Sequence, residues 1–300
     1  MLKAAILTSN PHGNAARIAH YIARALPDVQ IIAAIVDTGS RPDRSRQVAR
    51  LRAWHRHGGV SYTLWRLWLQ LRPRVRRVPP TPRYSRTLEE LGREFGFRVI
   101  EVPTINSREA ESELRALAPD VGISIGNRII ASSIFSIPRH GMLNLHHGKI
   151  PEFRGGPPAF WEIYRGASTM GVSVHRIDAN LDHGQLLTEG EVPIREGDDP
   201  RTIMERAYEL DYRLLTEVLT DTLRESVSPI PVDFSSSQVN TLPSWTELLA
   251  VRRRLGRRLW PDDFRFAHLR EIRRPTGDPD VWREDRQNGE RNRGQRSLGA

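Results

Sequence analysis

The sequence predicts an α/β protein: a mainly parallel, twisted sheet with flanking helices and a small C-terminal appendage. Three observations carry that expectation. The chain opens on a short apolar run, a helically spaced apolar set and a second apolar run; the same alternation returns between residues 88 and 125; and two alternating strands then precede a long amphipathic helix.

Taken in order, Ala4-Ala5-Ile6-Leu7 reads as a buried strand, and Ile18, Ala19, Ile22, Ala23 and Leu26 form the inner face of a helix. Residues 31–36, all apolar, make the second strand of a βαβ unit. The turn at residues 8–14 is small and polar and holds Asn10 and Gly13, so its N–H groups either suit an anion at the helix N-terminus or simply close a capped turn. A helix is expected near Leu88 to Phe95, a strand over Phe97 to Val102, a helix from Ser107 to Leu117 with a polar N-cap, and a strand over Val121 to Ile125. Gly141 to Leu145 reads as a further strand, Trp161 to Arg165 as a helix end, and Gly171 to Ile177 as a strand paired with Gln185 to Ile194. Asp198-Asp199-Pro200 puts acids and a proline at the start of a long helix that faces Ile203, Met204, Ala207, Leu210, Leu214, Val218 and Leu219 inward. Beyond Pro229 the pattern weakens to a short strand-like piece and a basic helix around Trp245 to Trp260, before a tail whose composition is that of a disordered segment.

At 300 residues, 38% apolar and 27% charged, the chain is neither disordered nor fibrous as a whole, and no apolar run approaches the roughly 18–20 residues of a membrane span. The N-terminal apolar run is too short for a signal-peptide core, so a cytoplasmic location is expected. The absence of cysteine removes disulfides, thiolate metal sites and cysteine nucleophiles. The net charge of +9 is concentrated: residues 41–86 hold thirteen arginines against one acid, Asp43, and carry +12, which leaves −3 for the remainder. Within them Leu51 and Trp54, then Leu64, Trp65, Leu67, Trp68, Leu69 and Leu71, suggest short cationic amphipathic helices closed by Pro79-Pro80-Thr81-Pro82. Such a stretch suits RNA or an anionic membrane surface, but a Trp/Leu stripe at helical spacing is more often packed on its own protein, and that reading is preferred.

Polar chemistry concentrates between Gly141 and Pro158. On a strand, Asn144 and His146 are two apart and leave the same face, beside an irregular Gly/Pro-rich loop. The polar turn at residues 177–184, between two alternating strands, can bring a carboxylate to that imidazole. Asn, His and Asp together can polarise a carbonyl and move a proton, although either residue alone on a strand is usually structural. His147, His175 and His183 are set aside as non-catalytic. His146, His175, Asp178 and Asp182 have the chemistry of zinc or iron ligands but no ligand spacing, and no metal is expected. Arg154 and Gly155 either shape the loop or, through the arginine, meet a phosphate.

Asn144-x-His146, Pro151-x-Phe153-Arg154-Gly155, Trp161, Gly171 and Leu181-Asp182-x-Gly184 closely resemble the pattern of the 10-formyltetrahydrofolate-dependent formyltransferases, over roughly residues 1–40 and 95–225. Members of that family act on glycinamide ribonucleotide, on methionyl-tRNA and on the amino groups of nucleotide-linked sugars. The resemblance implies a Rossmann-like catalytic domain over residues 1–225 interrupted by the basic insertion at about 41–86, then a small extension at 226–275 and a disordered tail at 276–300. It implies 10-formyltetrahydrofolate as formyl donor, with Asn144 and His146 stabilising the tetrahedral oxyanion. Asp182 would orient His146, raise its pKa and help remove the amine proton through water. Donor contacts are expected at Ser124, Ile125, Gly126, Ile150, Pro151, Asp178 and Asn180, and acceptor contacts at Lys149, Arg154, Gly155, Asn10 and Gly13. The chain departs from the family where Gly148-Lys149-Ile150-Pro151 stands in place of Ser-Leu-Leu-Pro, which bears on folate contact or acceptor choice.

The methionyl-tRNA enzymes of the family carry a C-terminal barrel, whereas residues 230–300 lack a run of short alternating strands. The purine enzyme has a Gly-Asn-Gly-type phosphate loop that residues 9–14 echo only loosely. The expected acceptor is therefore a small primary amine, most like an amino sugar on a nucleotide carrier, with methionyl-tRNA and glycinamide ribonucleotide as alternatives. From another class, the alternative is a basic protein binding RNA or a membrane surface on an inactive scaffold. A homodimer with no nucleic-acid partner is expected.

Overall fold

The computed structural model describes residues 1–39, 86–127, 129–198, 200–241 and 243–255, together with nine single positions between 48 and 67. Seven strands form one sheet: β1 (Leu2–Thr8), β2 (Val29–Asp37), β3 (Arg98–Val102), β4 (Val121–Ile125), β5 (Met142–His146), β6 (Thr169–Arg176) and β7 (Leu186–Pro193), in the order β3-β2-β1-β4-β5-β6-β7. The first five are parallel, and β6 and β7 run antiparallel at one edge. The helices are α1 (Asn14–Ala25), α2 (Leu88–Phe95), α3 (Arg108–Leu117), α4 (Ser132–Phe135), α5 (Phe160–Arg165), α6 (Pro200–Leu223) and α7 (Trp245–Arg254).

Local chemistry explains these elements. β1, β2 and β4 are near-continuous apolar runs because a parallel sheet is covered on both faces. A reciprocal capping box between Thr87 and Glu90 starts α2, and left-handed Gly96 ends it. The Ser107 hydroxyl accepts from the Ala110 N–H at the start of α3, as its polar N-cap suggested. The four residues of α4 are too few to leave a periodic signal and were not expected.

Two core clusters cover the two faces. One packs α1, α2, α5, α6 and α7 against residues such as Ile6, Leu143 and Leu145; the other packs α3 and α4 against Leu7, Ile35 and Met142. Met142 thus marks the second face, and the alternation along β5 carries Asn144 and His146 onward on that same side. The inward face expected for α6 is buried or partly buried, with Leu215 added. Each large apolar side chain buried there contributes roughly 1.5–3 kcal/mol, so α6 docks without help from its one buried acid, Asp211.

The topology also fixes where ligands approach. The chain leaves β1 toward β2 and β3, then returns to the other side of β1 with β4 and β5, so the order reverses between β1 and β4. In open α/β sheets the binding crevice lies beyond the carboxyl ends of strands at such a switch point. Here that edge gathers residues 9–13, 126–127, 129–131 and the loop after His146.

Of the basic insertion, Leu51 and Leu67 pack against the first core cluster, whereas Val48, Val60 and Leu64 are exposed. Trp54, Trp65, Trp68 and the proline-rich close lie outside the described residues, as do Asp199 and the expected tail. The segment after α6 forms two isolated bridges, Gly155 with Asn240 and Leu186 with Ile230. Among the described residues, no helix is long and apolar enough to cross a membrane.

Candidate active site

The antiparallel pairing of β5 with β6 sets Asn144 directly opposite His175 and His146 opposite Ser173. The turn after β6 folds back over this face and brings Asp182 down onto it. Asn144 Nδ2 lies 3.1 Å from His175 Nε2 and donates to Asp182 Oδ1 at 3.4 Å. Asp182 Oδ2 is 3.5 Å from His146 Nδ1 and accepts the Gly155 N–H at 2.9 Å. The other nitrogen of His146 donates to the Phe153 carbonyl at 2.9 Å. A carbonyl only accepts, so Nε2 carries the proton of the neutral ring and Nδ1 turns its lone pair toward Asp182.

Two glycines permit this closeness. A Cβ on Gly148 would stand 2.4 Å from the Phe153 carbonyl oxygen and 2.6 Å from His146 Nε2, across the hydrogen bond that holds the ring. Gly155, at φ 85°, lies in the left-handed region, and a Cβ there would meet the Asn240 carbonyl oxygen at 2.1 Å.

His146 and Asp182 are 7% and 8% exposed. Burial by itself would raise the Asp182 carboxyl, but the His146 and His175 rings and the Gly155 N–H outweigh it and hold the group well below the usual carboxylate range. Burial draws His146 below its ordinary value, and the attraction of Asp182 only partly offsets it. Asp182 acts in the expected direction, raising the His146 pKa, but the net shift is downward because taking the ring out of water costs the cation more than one carboxylate at 3.5 Å returns.

The remaining expected residues divide. Among the described residues nothing lies within 4 Å of a Cβ added at Gly126 or Gly13. Gly13 begins α1 without a side-chain cap, and Asn10 shapes the preceding turn by accepting the His12 N–H and by exchanging hydrogen bonds with the Thr8 hydroxyl. Ser124 and Ile125 are buried, the Ser124 hydroxyl accepting from Asn127 at 3.1 Å. Asp178 turns away from the catalytic face: it accepts the Asn180 N–H and pairs with His183 at 2.9 Å, beside a cleft of about 630 Å³ that also includes Phe234. Ile150 is buried and Pro151 partly buried.

Two acceptor candidates are already engaged by the protein. Lys149 is paired with Glu191 at 2.8 Å. Arg154 is buried, donating to the Leu181 and Asp182 carbonyls and to Ser237 Oγ, with its guanidinium over the Phe234 ring at 5.2 Å. It clasps the Asp182 turn, because a buried guanidinium must be matched by acceptors, and so does not reach toward a phosphate. Conversely, His175, set aside from the sequence, touches both Asn144 and Asp182. Its signal was its antiparallel register opposite Asn144, which one strand's periodicity cannot reveal. His147 is likewise engaged, with Nε2 3.1 Å from both carboxylate oxygens of Asp211.

Residues 91–219 match the family model described as formyl transferase. Over those residues the chain is similar to the formyl transferase family. A methionyl-tRNA formyltransferase of Geobacillus thermodenitrificans (strain NG80-2) is 28% identical over 196 residues, covering 63% of this chain and 59% of the relative. One from Koribacter versatilis (strain Ellin345) is 37% identical over 115 residues, 38% of this chain and 37% of that protein. The chain therefore spans between about a third and three fifths of these two relatives' length. Among solved structures, the N-formyltransferase from Helicobacter canadensis, in complex with folinic acid and dTDP-3-aminofucose, superposes with TM-score 0.51 at 16% identity, covering 82% of this chain and 72% of that one. At that identity the superposition shows a shared fold. The formyl transferase match contains Asn144, His146, His147, Asp182 and Asp211, and hence both histidine–aspartate pairs.

Proposed function

We propose that this formyl transferase domain moves a formyl group from 10-formyltetrahydrofolate to a primary amine of a small acceptor, an amino sugar on a nucleotide carrier being the class favoured. One observation carries the chemistry: Asn144, His146 and Asp182 converge on one face at the carboxyl end of β5, beside the crevice at the β1/β4 switch point. The open space at Gly126 and the neighbouring 177–182 turn are compatible with a flat donor lying across that face. When bound, the donor supplies the formyl carbon. The Asn144 amide and the His146 Nε2–H, held in the resting site by Asp182 and by the Phe153 carbonyl, are the donors that would turn to the formyl oxygen as negative charge develops on it, an arrangement typically worth roughly 100- to 1000-fold in rate per donor. Ionised Asp182 holds the Asn144 amide in place and favours the charge on His146 should that ring gain a proton.

A small anionic acceptor is favoured by the start of α1 beside Gly13, where no side chain of the described residues caps the helix and its first N–H groups suit a phosphate. The segment after α6 folds back onto the active-site loops, Asn240 pairing with Gly155 and Ser237 with Arg154. A second reading, methionyl-tRNA, is favoured by the names of the two relatives and by the +12 of residues 41–86. The test is a panel of dTDP-3-aminofucose, glycinamide ribonucleotide and methionyl-tRNA, each incubated with 10-formyltetrahydrofolate and read by mass spectrometry. Formylation of the sugar nucleotide is expected. Product from methionyl-tRNA alone would select the second reading, and no product from any acceptor would reject formyl transfer.

A further inference from the structure

An amine that attacks a formyl carbon must shed a proton, and His146 is poorly placed to take it. Both of its nitrogens face acceptors of the protein, the Phe153 carbonyl and Asp182, on the α3/α4 side of the sheet. The next residue points the other way. His147 is directed toward α1 and α6, where Asp211 is 0% exposed and has both oxygens 3.1 Å from His147 Nε2. Asn14, the first residue of α1, donates its Nδ2–H to the same carboxylate at 3.0 Å, and the Tyr208 ring stands edge-on to the imidazole with centroids 5.6 Å apart. Asp211 interrupts the apolar face of α6, so its cost of burial is balanced by these two donors.

We infer that His147 is the base that accepts the proton of the acceptor amine, with Asp211 and Asn14 as its positioning residues. The inference rests on the formyl-transfer reading above. A carboxylate on Nε2 fixes the ring proton there and leaves the Nδ1 lone pair as the basic site; none of the described residues forms a hydrogen bond to Nδ1. His147 follows directly on the carboxyl end of β5, and Asn14 follows directly on Gly13, so the ring is tied to the loop that borders the open crevice. The accounting closes on this assignment. The amine lone pair forms the new bond to the formyl carbon, and the bond from that carbon to the donor nitrogen breaks. The pair stays on that nitrogen, the amine proton goes to His147 Nδ1, and the proton is then returned to the donor nitrogen, directly or through solvent.

The test pairs a spectroscopic arm with a kinetic arm on the full chain. Imidazole nitrogen NMR of the parent at pH 8 is expected to show His147 protonated on Nε2 alone. In Asp211→Asn, matched for melting temperature, the amide can donate to the ring and a shift toward the Nδ1–H form is expected. Using whichever panel acceptor the parent formylates, His147→Gln is expected to lower kcat at pH 7 at least tenfold, to lose the rising limb of the pH–rate profile and to recover partly at alkaline pH. A ring protonated on Nδ1 in the parent, or an unchanged profile with a rate within twofold in His147→Gln, would overturn the assignment while an active parent keeps formyl transfer standing. A parent that formylates no panel acceptor would overturn the functional reading, and this assignment with it.

Discussion

Two neighbouring histidines, each facing a buried aspartate, occupy opposite sides of the same strand end, and the contrast between them explains more than either pair alone. Asp182 is shared: it meets His146, His175, Asn144 and the Gly155 N–H at once, and the second nitrogen of His146 is tied to a carbonyl. Asp211 is nearly dedicated, holding His147 through both oxygens with Asn14 as its further donor. The first arrangement closes a ring in place and presents a fixed field. The second leaves one ring nitrogen without a hydrogen bond from the described residues. The same two residue types therefore serve different chemistry according to what holds the histidine's other nitrogen.

The largest expected break in this comparison is His146→Ala. It removes an N–H donor from the proposed oxyanion site, and formyl transfer should fall at least roughly 100-fold, measured as turnover beside a melting curve. Replacing Asp182 by Asn comes next, with a loss of roughly tenfold or more in transfer and a changed response to acid. Its folded pKa is depressed, so its stabilising contribution is present above the ordinary carboxylate value and is lost as pH falls below about 4. Buried His146 has the same sign, its contribution fading as pH falls below about 6.5. Melting temperatures followed from pH 7 to pH 3 should therefore drop less steeply in Asp182→Asn than in the parent.

A smaller, sharper perturbation is Gly148→Ala. The new methyl would intrude on the His146–Phe153 hydrogen bond, and a several-fold loss in kcat with little change in the donor KM is expected from steady-state kinetics. The smallest effect is expected at Glu162, a buried carboxyl on α5 that lacks a histidine partner among the described residues. Burial pushes its pKa up to about 8, opposed by a backbone hydrogen bond and Arg165. A raised folded pKa means the stability is present below the ordinary value and is lost as pH rises toward 8. Glu162→Gln should melt higher than the parent at pH 9, match it at pH 4 and leave transfer unchanged.

Much of this architecture was legible because its signals are local. Near-continuous apolar runs marked β1, β2 and β4, a spacing of two put Asn144 and His146 on one face, and the polar turn containing Asp182 stood out against its flanking strands. What escaped depends on register or tertiary partners. His175 becomes a site residue only through its pairing with Asn144 across two strands. Asp211 falls four residues after Ala207 on the inward face of α6, a visible interruption of the apolar stripe, but its partner His147 lies 64 residues away in sequence. Arg154 is open to two readings in the sequence, shaping the loop or meeting a phosphate, because only the fold reveals the carbonyls of Leu181 and Asp182 that engage it.

The central claim is that the face bearing Asn144, His146 and Asp182 performs formyl transfer. Asn144 tests it most directly, being only partly buried and outside both apolar clusters. The measurement is single-turnover formyl transfer from 10-formyltetrahydrofolate to the acceptor that the parent uses, compared between parent and Asn144→Ala at equal folded concentration. The account requires rapid transfer by the parent and a rate lower by roughly 100-fold or more in the variant. Equal rates in the two proteins would contradict it.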